Sequence, residues 1–150
     1  MKPTDFLVRP FEEADIAPIA ALEAKCFSAP WNETMVREAA AHPCFFYLVA
    51  LADGHFAGYV GIMCVPPEGE LANLAVEPAL RRRGVGRALL SALEETLAAR
   101  GVTSVYLDVR ASNRGAQALY ESVGYEQVGL RRGFYENPRE DGLVYRKNIG

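Results

Sequence analysis

Apolar residues follow two different spacings along this chain, and the change from one spacing to the other predicts its elements. Runs of Val, Ile, Leu, Tyr and Phe are typical of strands, whereas apolar residues three and four positions apart are typical of amphipathic helices. Strands are predicted at residues 6–9, 45–51, 56–65, 70–76, 104–109, 125–132 and 143–149, and helices at 14–27, 33–41, 85–100 and 113–122. A polar loop is predicted at 133–142.

Turn and cap residues support several of these element ends. Asp53-Gly54, between two strand-like runs, is a strong hairpin signal. Asn32 precedes the second helix at the position of an N-cap, because its side chain can accept a hydrogen bond from the first helical turn. Gly101 follows the third helix, where a residue in the left-handed conformation ends many helices.

The order of the predicted elements is β-α-α-β-β-β-α-β-α-β-β. Only the second half alternates strand with helix, which predicts a βαβ crossover and some parallel pairing. The first half predicts antiparallel neighbours, so the fold class is α/β in the sense of an α+β arrangement on one mixed sheet. At 150 residues the chain is expected to form a single domain spanning 1–150.

Composition narrows the classes of function. The net charge of −3 disfavours a nucleic-acid partner. The longest apolar run, 45–52, is too short to cross a membrane, and no secretion signal is visible. Three cysteines without a close pair (Cys26, Cys44 and Cys64) indicate neither a disulfide framework nor a zinc site. We therefore expect a cytoplasmic protein without a membrane partner or a bound metal.

A glycine- and arginine-rich segment, 81–87, lies between the predicted strand 70–76 and the helix that follows it. The first N–H groups of a helix lack partners within the helix and carry the positive end of its dipole. Glycines allow a ligand to approach those donors closely. The segment therefore predicts a site for phosphate or pyrophosphate, with a water-capped helix end as the alternative.

Three kinds of glycine-rich phosphate-binding loop are possible interpretations of this segment. A P-loop is excluded because the chain contains no Gly-Lys-Ser or Gly-Lys-Thr. A dinucleotide fingerprint is disfavoured because Leu89 occupies the third position, where a small residue is needed. The pattern R-x-x-G-x-G is met by Arg81, Gly84 and Gly86.

The R-x-x-G-x-G pattern resembles the pyrophosphate loop of the GNAT superfamily of N-acetyltransferases, which bind acetyl-coenzyme A. Further segments resemble the ribosomal-protein-alanine N-acetyltransferases of the RimI type, namely 73–76, 81–90, 107–113 and 118–125. The resemblance implies a GNAT fold. This fold has a central mixed, mostly antiparallel, twisted sheet of about seven strands with splayed central strands, together with about four helices.

The resemblance also implies the residues that contact acetyl-coenzyme A. Exposed backbone groups of the splayed strand would pair with the pantetheine arm, helix-start amides would hold the pyrophosphate, and arginine side chains would neutralise phosphates. The residues concerned are Leu74, Ala75, Val76, Arg81, Arg82, Arg83, Gly84, Val85, Gly86 and Arg87. Asn113 matches a coenzyme contact of the family and is equally well explained as an N-cap.

The implied chemistry is direct attack of an amine on the thioester within a ternary complex, which needs no nucleophilic residue. Tyr120 matches the general acid of the family, although its helical spacing alone would indicate a core aromatic. Asp108 stands where the subfamily has glutamate, and the missing methylene retracts the carboxylate by about 1.3 Å. Asp108, Glu70 and a water molecule remain alternatives for the base.

The acceptor implied by the resemblance is the N-terminal alanine of ribosomal protein S18. Its peptide is expected between residues 27–32 and 133–142, near Tyr135 and near Trp31, which is either a core residue or a wall of the groove. Acidic residues that could receive a basic peptide are Glu12, Glu13, Asp15, Glu23, Glu136, Glu140 and Asp141. The enzyme is expected to act as a monomer or weak dimer. Other acceptors, such as another protein or a small amine, and a non-catalytic acetyl-coenzyme A-binding module remain alternatives.

Overall fold

The computed structural model describes residues 6–150, which form seven strands and four α-helices in the predicted order. The elements are β1 (Phe6–Pro10), α1 (Ile16–Cys26), α2 (Glu33–Ala41), β2 (Phe45–Ala52), β3 (His55–Val65), β4 (Glu68–Val76), α3 (Val85–Ala99), β5 (Ser104–Arg110), α4 (Arg114–Ser122), β6 (Glu126–Tyr135) and β7 (Glu140–Asn148). Short 3₁₀ turns, Glu13–Asp15 and Pro78–Leu80, precede α1 and α3.

All seven strands belong to one mixed sheet with the order β1-β2-β3-β4-β5-β7-β6. Every pairing is antiparallel except that of β4 with β5, which is parallel. The parallel pairing extends only from Glu68–Ser104 to Leu71–Leu107. Beyond these residues β4 pairs with β3 alone and β5 with β7 alone, which confirms the predicted splay of the central strands.

Helices pack on both faces of the sheet and create two apolar cores. One core joins α3 and α4 to the sheet through residues such as Leu89, Leu93 and Leu107. The other joins α1 and α2 to β2, β3 and β4, around Ile19 and Tyr47. On this second face β5 and β7 keep partly exposed polar side chains, and we call that half of the sheet the open face.

The turn and cap residues identified in the sequence adopt their predicted roles. Asp53 and Gly54 both have positive φ angles, 51° and 82°, and join β2 to β3 through a two-residue turn. The Asn32 side chain accepts the Met35 N–H at 2.9 Å and so caps α2. Gly101 has a φ of 87° and directly follows Arg100, the C-cap residue of α3.

The prediction of a polar loop over 133–142 is wrong in extent. β6 continues to Tyr135 and β7 begins at Glu140, so only residues 136–139 form the hairpin tip. The register is irregular between Arg131 and Tyr135, and Gly133 has a φ of 58°. Asp141 accepts the Gly133 N–H at 2.8 Å, which satisfies a donor at this irregularity. The polar residues of this segment belong to an irregular strand. Their polarity alone could not distinguish such a strand from a loop.

Candidate active site

The open edge of β4 begins at a bulge. Gly61 pairs with Asn73 and Ile62 pairs with Leu71, so Ala72 is the extra residue. Further along, Glu77 donates its N–H to Ala57 O at 2.8 Å, on the β3 side. Backbone groups alternate between the two edges of a strand, so Leu74 and Val76 direct theirs toward the gap left by β5.

The backbone groups of Ala75 point away from the gap, unlike those of Leu74 and Val76. Ala75 is buried in the core beneath α1 and α2, and the same alternation directs its backbone groups toward β3. An extended ligand arm entering the gap would therefore find the free donors and acceptors of Leu74 and Val76. This arrangement fits the pantetheine arm of acetyl-coenzyme A.

The start of α3 fits a phosphate ligand. Gly84 is its N-cap residue, with a φ of 95°, and no side chain caps the helix. By contrast, asparagine side chains cap both α2 and α4. Arg82 also has a positive φ, 64°, so the loop preceding the helix curves sharply. The exposed arginines of this segment are Arg81, Arg82, Arg83 and Arg87. Uncapped donors beside several cations form a favourable anion site.

Gly86 has a packing role that the phosphate motif does not indicate. A Cβ at this position would lie 2.8 Å from Leu119 Cδ2 on α4, which is closer than carbon atoms approach. Gly86 therefore lets α3 and α4 come together beside the predicted phosphate site. Only the tertiary contact with α4 reveals this requirement.

Two other predicted cofactor residues already have partners within the protein. Arg81 donates to Cys26 Sγ at 3.2 Å, which connects the loop to the end of α1. Asn113 Oδ1 accepts the Ala116 N–H at 3.1 Å, so its role as the N-cap of α4 is confirmed. The cap uses the side-chain oxygen and leaves the amide NH₂ free to contact a ligand.

A groove of about 550 Å³ lies on the open face beside the splay. It is lined by both candidate bases, Glu70 and Asp108, and by Met63, Tyr106 and Arg131. Tyr106 is the register neighbour of Glu70 across the parallel pairing. Asp108 follows Tyr106 by two residues on β5, so its Cα atom lies about 6.6 Å from that of Tyr106 and its side chain is on the same face of the strand. Both carboxylates therefore line one groove, Glu70 as an exposed residue and Asp108 as a partly buried one.

Tyr120 lies on the opposite face of the sheet from Asp108. Its side chain is only 6% exposed, within the core that includes Leu107 and Val109, and its ring centroid is 5.6 Å from that of Tyr125. Burial raises the pKa of the Tyr120 hydroxyl, and Tyr135 adds to the rise. The hydroxyl therefore remains protonated at neutral pH, as a proton donor must.

The two residues predicted to contact the acceptor lie in different surroundings. Trp31 is partly buried against the core of α1 and α2, with its ring centroid 6.2 Å from that of Phe45. Tyr135 ends β6, and the Arg110 guanidinium stacks on its ring at 4.6 Å. Burial and the nearby Asp108 carboxylate raise the pKa of Tyr135 to about 12.

The sequence profile of the family described as Acetyltransferase (GNAT) matches residues 16–125. The chain belongs to the GNAT family. The N-alpha-acetyltransferase RimI of Mycobacterium tuberculosis is 40% identical over 143 residues, covering 91% of this chain and 89% of that protein. The [ribosomal protein bS18]-alanine N-acetyltransferase of Escherichia coli K12 is 36% identical over 136 residues, covering 89% and 90%.

The fold of this GNAT member also matches a solved relative. The crystal structure of the ribosomal-protein-S18-alanine N-acetyltransferase from Escherichia coli superposes with a TM-score of 0.88 at 32% identity, covering 97% of this chain and 95% of that one. The chain is thus an acetyl-coenzyme A-dependent N-acetyltransferase. Among residues 6–150, no cluster of three or more His, Cys, Asp or Glu side chains could hold a metal. None of the helices in this range is long and apolar enough to cross a membrane.

Glu23 is a buried carboxylate, a role that its sequence surroundings do not indicate. Glu23 on α1 is 1% exposed and accepts hydrogen bonds from the Tyr59 hydroxyl, from Asn73 Nδ2 at 3.0 Å and from the Trp31 N–H at 2.9 Å. It joins the loop after α1 to the bulge of β4. Burial raises the pKa of the Glu23 carboxyl, although the Trp31 and Asn73 donors oppose the rise.

Glu23 and two other acidic residues are therefore not surface charges that await a basic peptide. Asp15 is buried and accepts both guanidinium arms of Arg9, at 2.7 and 2.9 Å. Glu140 pairs with Arg110 at 3.0 Å. These three carboxylates already have partners within the fold. Glu12, Glu13 and Glu136 are exposed.

Proposed function

We propose that this GNAT enzyme acetylates the N-terminal α-amine of ribosomal protein S18, on the alanine exposed by removal of the initiator methionine. Supporting observations come from relatives named for this activity, which cover nine-tenths of the chain. The structural observation that carries the proposal is the open groove, which both Asp108 and Glu70 line close to the point where β4 and β5 stop pairing. Such an enzyme would work in the cytoplasm, where ribosomal proteins are made.

In this proposal Asp108 receives a proton from the attacking amine, directly or through a water molecule. Its carboxylate reaches into the groove, where Arg131 Nε donates to Oδ1 at 2.9 Å. That contact orients the carboxylate and balances its charge before the acceptor binds. Glu70, an exposed residue that lines the same groove, is the alternative base.

The Leu74 and Val76 N–H groups are the proposed donors to the acyl oxygen, where negative charge develops. When bound, acetyl-coenzyme A supplies the activated acetyl group. Tyr120, kept protonated by burial, supplies a proton to the departing sulfur. The acid and the base thus act from opposite faces of the sheet through the gap between β4 and β5.

An α-amine suits this site better than a lysine. The pKa of an α-amine is about 7.8 and that of lysine is about 10.4, so at pH ~7.5 about one third of α-amines but only ~0.1% of lysines are neutral. A neutral amine needs only modest help from a base. The shortened carboxylate of Asp108 is adequate for that task.

The test is thiol release from acetyl-coenzyme A in the presence of a peptide with the N-terminal sequence of S18. The same peptide with a blocked α-amine and a lysine-containing peptide with a blocked N-terminus serve as matched controls. Turnover with the free α-amine alone supports the proposal. Turnover with the blocked lysine peptide, or with small amines but not with the S18 peptide, would contradict it.

A further inference from the structure

Arg110, the last residue of β5, uses its side chain in four hydrogen bonds. It lies two positions after Asp108 and therefore on the same face of the strand. Its Nη1 donates to Pro138 O at 2.9 Å and to Glu140 Oε1 at 3.0 Å. Its Nη2 donates to Glu136 O at 2.7 Å and to Ser28 Oγ at 3.1 Å.

These partners belong to two separate parts of the chain. Ser28 is in the loop between α1 and α2 (residues 27–32), and the other three residues belong to the hairpin tip (136–139) or follow it directly. One planar guanidinium therefore spans both segments, and its face is covered by the Tyr135 ring at 4.6 Å. A lysine ammonium cannot reproduce this fork of fixed donors.

Neighbouring contacts hold the guanidinium in place. Glu140 also accepts from the Ser112 N–H and hydroxyl, at 3.1 and 2.9 Å, so it is fixed from a second side. Gln117 donates to the Arg110 carbonyl at 3.1 Å, which attaches the end of β5 to α4. A rigid strand end thus carries the connection between two otherwise separate surface segments.

We infer that Arg110 is a positioning residue that sets the separation of the loop 27–32 and the hairpin tip, and thereby the width of the space through which the acceptor peptide would reach Asp108. This inference rests on the proposed function and on the course expected for the acceptor peptide, between these two segments. Arg110 touches neither reacting group. Its contribution is to the affinity for the peptide and to the alignment of its amine, while the coenzyme site at α3 is unaffected.

The first test compares Arg110→Lys with Arg100→Lys, a matched arginine that stacks on the Phe46 ring outside the groove. Loss of a charge-assisted hydrogen bond corresponds to about tenfold in an equilibrium constant. Arg110→Lys should raise the KM for the S18 peptide by about tenfold or more with an unchanged KM for acetyl-coenzyme A. An equal rise in both KM values, or no rise in either, would overturn the inference.

Ser28→Ala provides a variant that leaves the core intact and removes only the bond to the loop. It should raise the peptide KM by about fivefold, as expected for one neutral acceptor. The double variant should be no worse than Arg110→Lys alone, because both changes break the same connection. Additive effects would show that the two residues act independently and would contradict the inference.

A measurement that needs no acceptor can show whether the inference about Arg110 fails independently of the proposed function. Arg139, in the exposed hairpin tip, is a trypsin cleavage site. Releasing the tip should accelerate cleavage after Arg139 by about tenfold in Arg110→Lys and leave it unchanged in Arg100→Lys. Unchanged cleavage in Arg110→Lys would overturn the inference whatever amine the enzyme acetylates. Faster cleavage would support it even if the S18 peptide proved inactive.

Discussion

Asp108 and Arg131 form an ion pair across the β5–β7–β6 part of the sheet, with Arg131 Nε 2.9 Å from Asp108 Oδ1. The pair lies in the same groove as Glu70. An aspartate at this position, shorter than the glutamate implied by the family resemblance, is thus oriented by a residue of β6, on the far side of β7. The more exposed Glu70 is the competing candidate for the base.

Asp108→Asn should lower kcat/KM for the acceptor peptide by about 10²-fold to 10⁴-fold, because general base catalysis contributes this much. The affinity for acetyl-coenzyme A, measured by calorimetry, should be unchanged because Asp108 lines the groove, which includes no residue of the 81–87 loop. Glu70→Gln is the matched control, since it neutralises the other carboxylate of the groove. A fully active Asp108→Asn with an inactive Glu70→Gln would reverse the assignment of the base.

Tyr120→Phe should lower kcat by about 10²-fold to 10⁴-fold while the protein remains folded, because the buried ring is kept and only the hydroxyl is lost. Tyr125→Phe, which removes the hydroxyl of the ring packed against Tyr120, is the control and should retain activity. Thermal unfolding of both variants checks that the core is intact. Equal kcat values for the two variants would exclude Tyr120 as the acid.

The pH dependence of the wild-type rate follows from the same residues. The rate should rise with pH as the acceptor α-amine loses its proton near pH ~7.8. Burial raises the pKa of Tyr120 above its ordinary value of 10.0, so the acid should stay protonated throughout this rise. We therefore expect kcat/KM to reach a plateau by pH ~9 without a decline caused by Tyr120. A decline centred below pH 9 that Tyr120→Phe abolishes would contradict this account.

Gly86→Ala should destabilise the protein by about 1–3 kcal/mol and raise the KM for acetyl-coenzyme A, because its Cβ would collide with Leu119 and push α3 from α4. Gly115→Ala is the matched control on α4, since its Cβ would meet nothing closer than 4.0 Å. That change should leave the KM unaltered and stabilise the helix by roughly 0.5–1 kcal/mol. Chemical denaturation and initial-rate kinetics measure both effects. Equal KM values for the two variants would show that the contact does not shape the phosphate site.

Glu23→Gln should reduce the free energy of unfolding, because an amide offers one acceptor where three donors converge, and an unmatched buried donor costs about 1–3 kcal/mol. Because burial raises the pKa of Glu23 in the folded protein, its titration favours folding below the ordinary value of 4.5, and this contribution is lost as the pH rises through the raised pKa. The deficit of Glu23→Gln should therefore be larger near pH 4.5 than at pH 8. Denaturant titrations at the two pH values measure it, and a deficit that grows with pH would contradict the assignment.

Structural features that depend on residues close together in the sequence could be predicted. Features that depend on contacts between residues far apart in the sequence could not. Asn32 and Gly101 determine the ends of helices through neighbouring backbone groups, so their roles are local. Glu23 gives no such signal, because one of its partners, Asn73, is 50 residues away in sequence. Arg110 was recognised only as part of a motif, since its partners come together only when the hairpin folds over β5.

The most direct test of the central claim uses intact ribosomal protein S18, purified without its initiator methionine and incubated with the enzyme and acetyl-coenzyme A. Peptide mass spectrometry then locates the acetyl group. We expect one acetyl group on the N-terminal alanine, unmodified lysines, and no reaction with Asp108→Asn on the same timescale. Acetylation of lysines with a free N-terminus, or an unmodified protein in the presence of active enzyme, would contradict it.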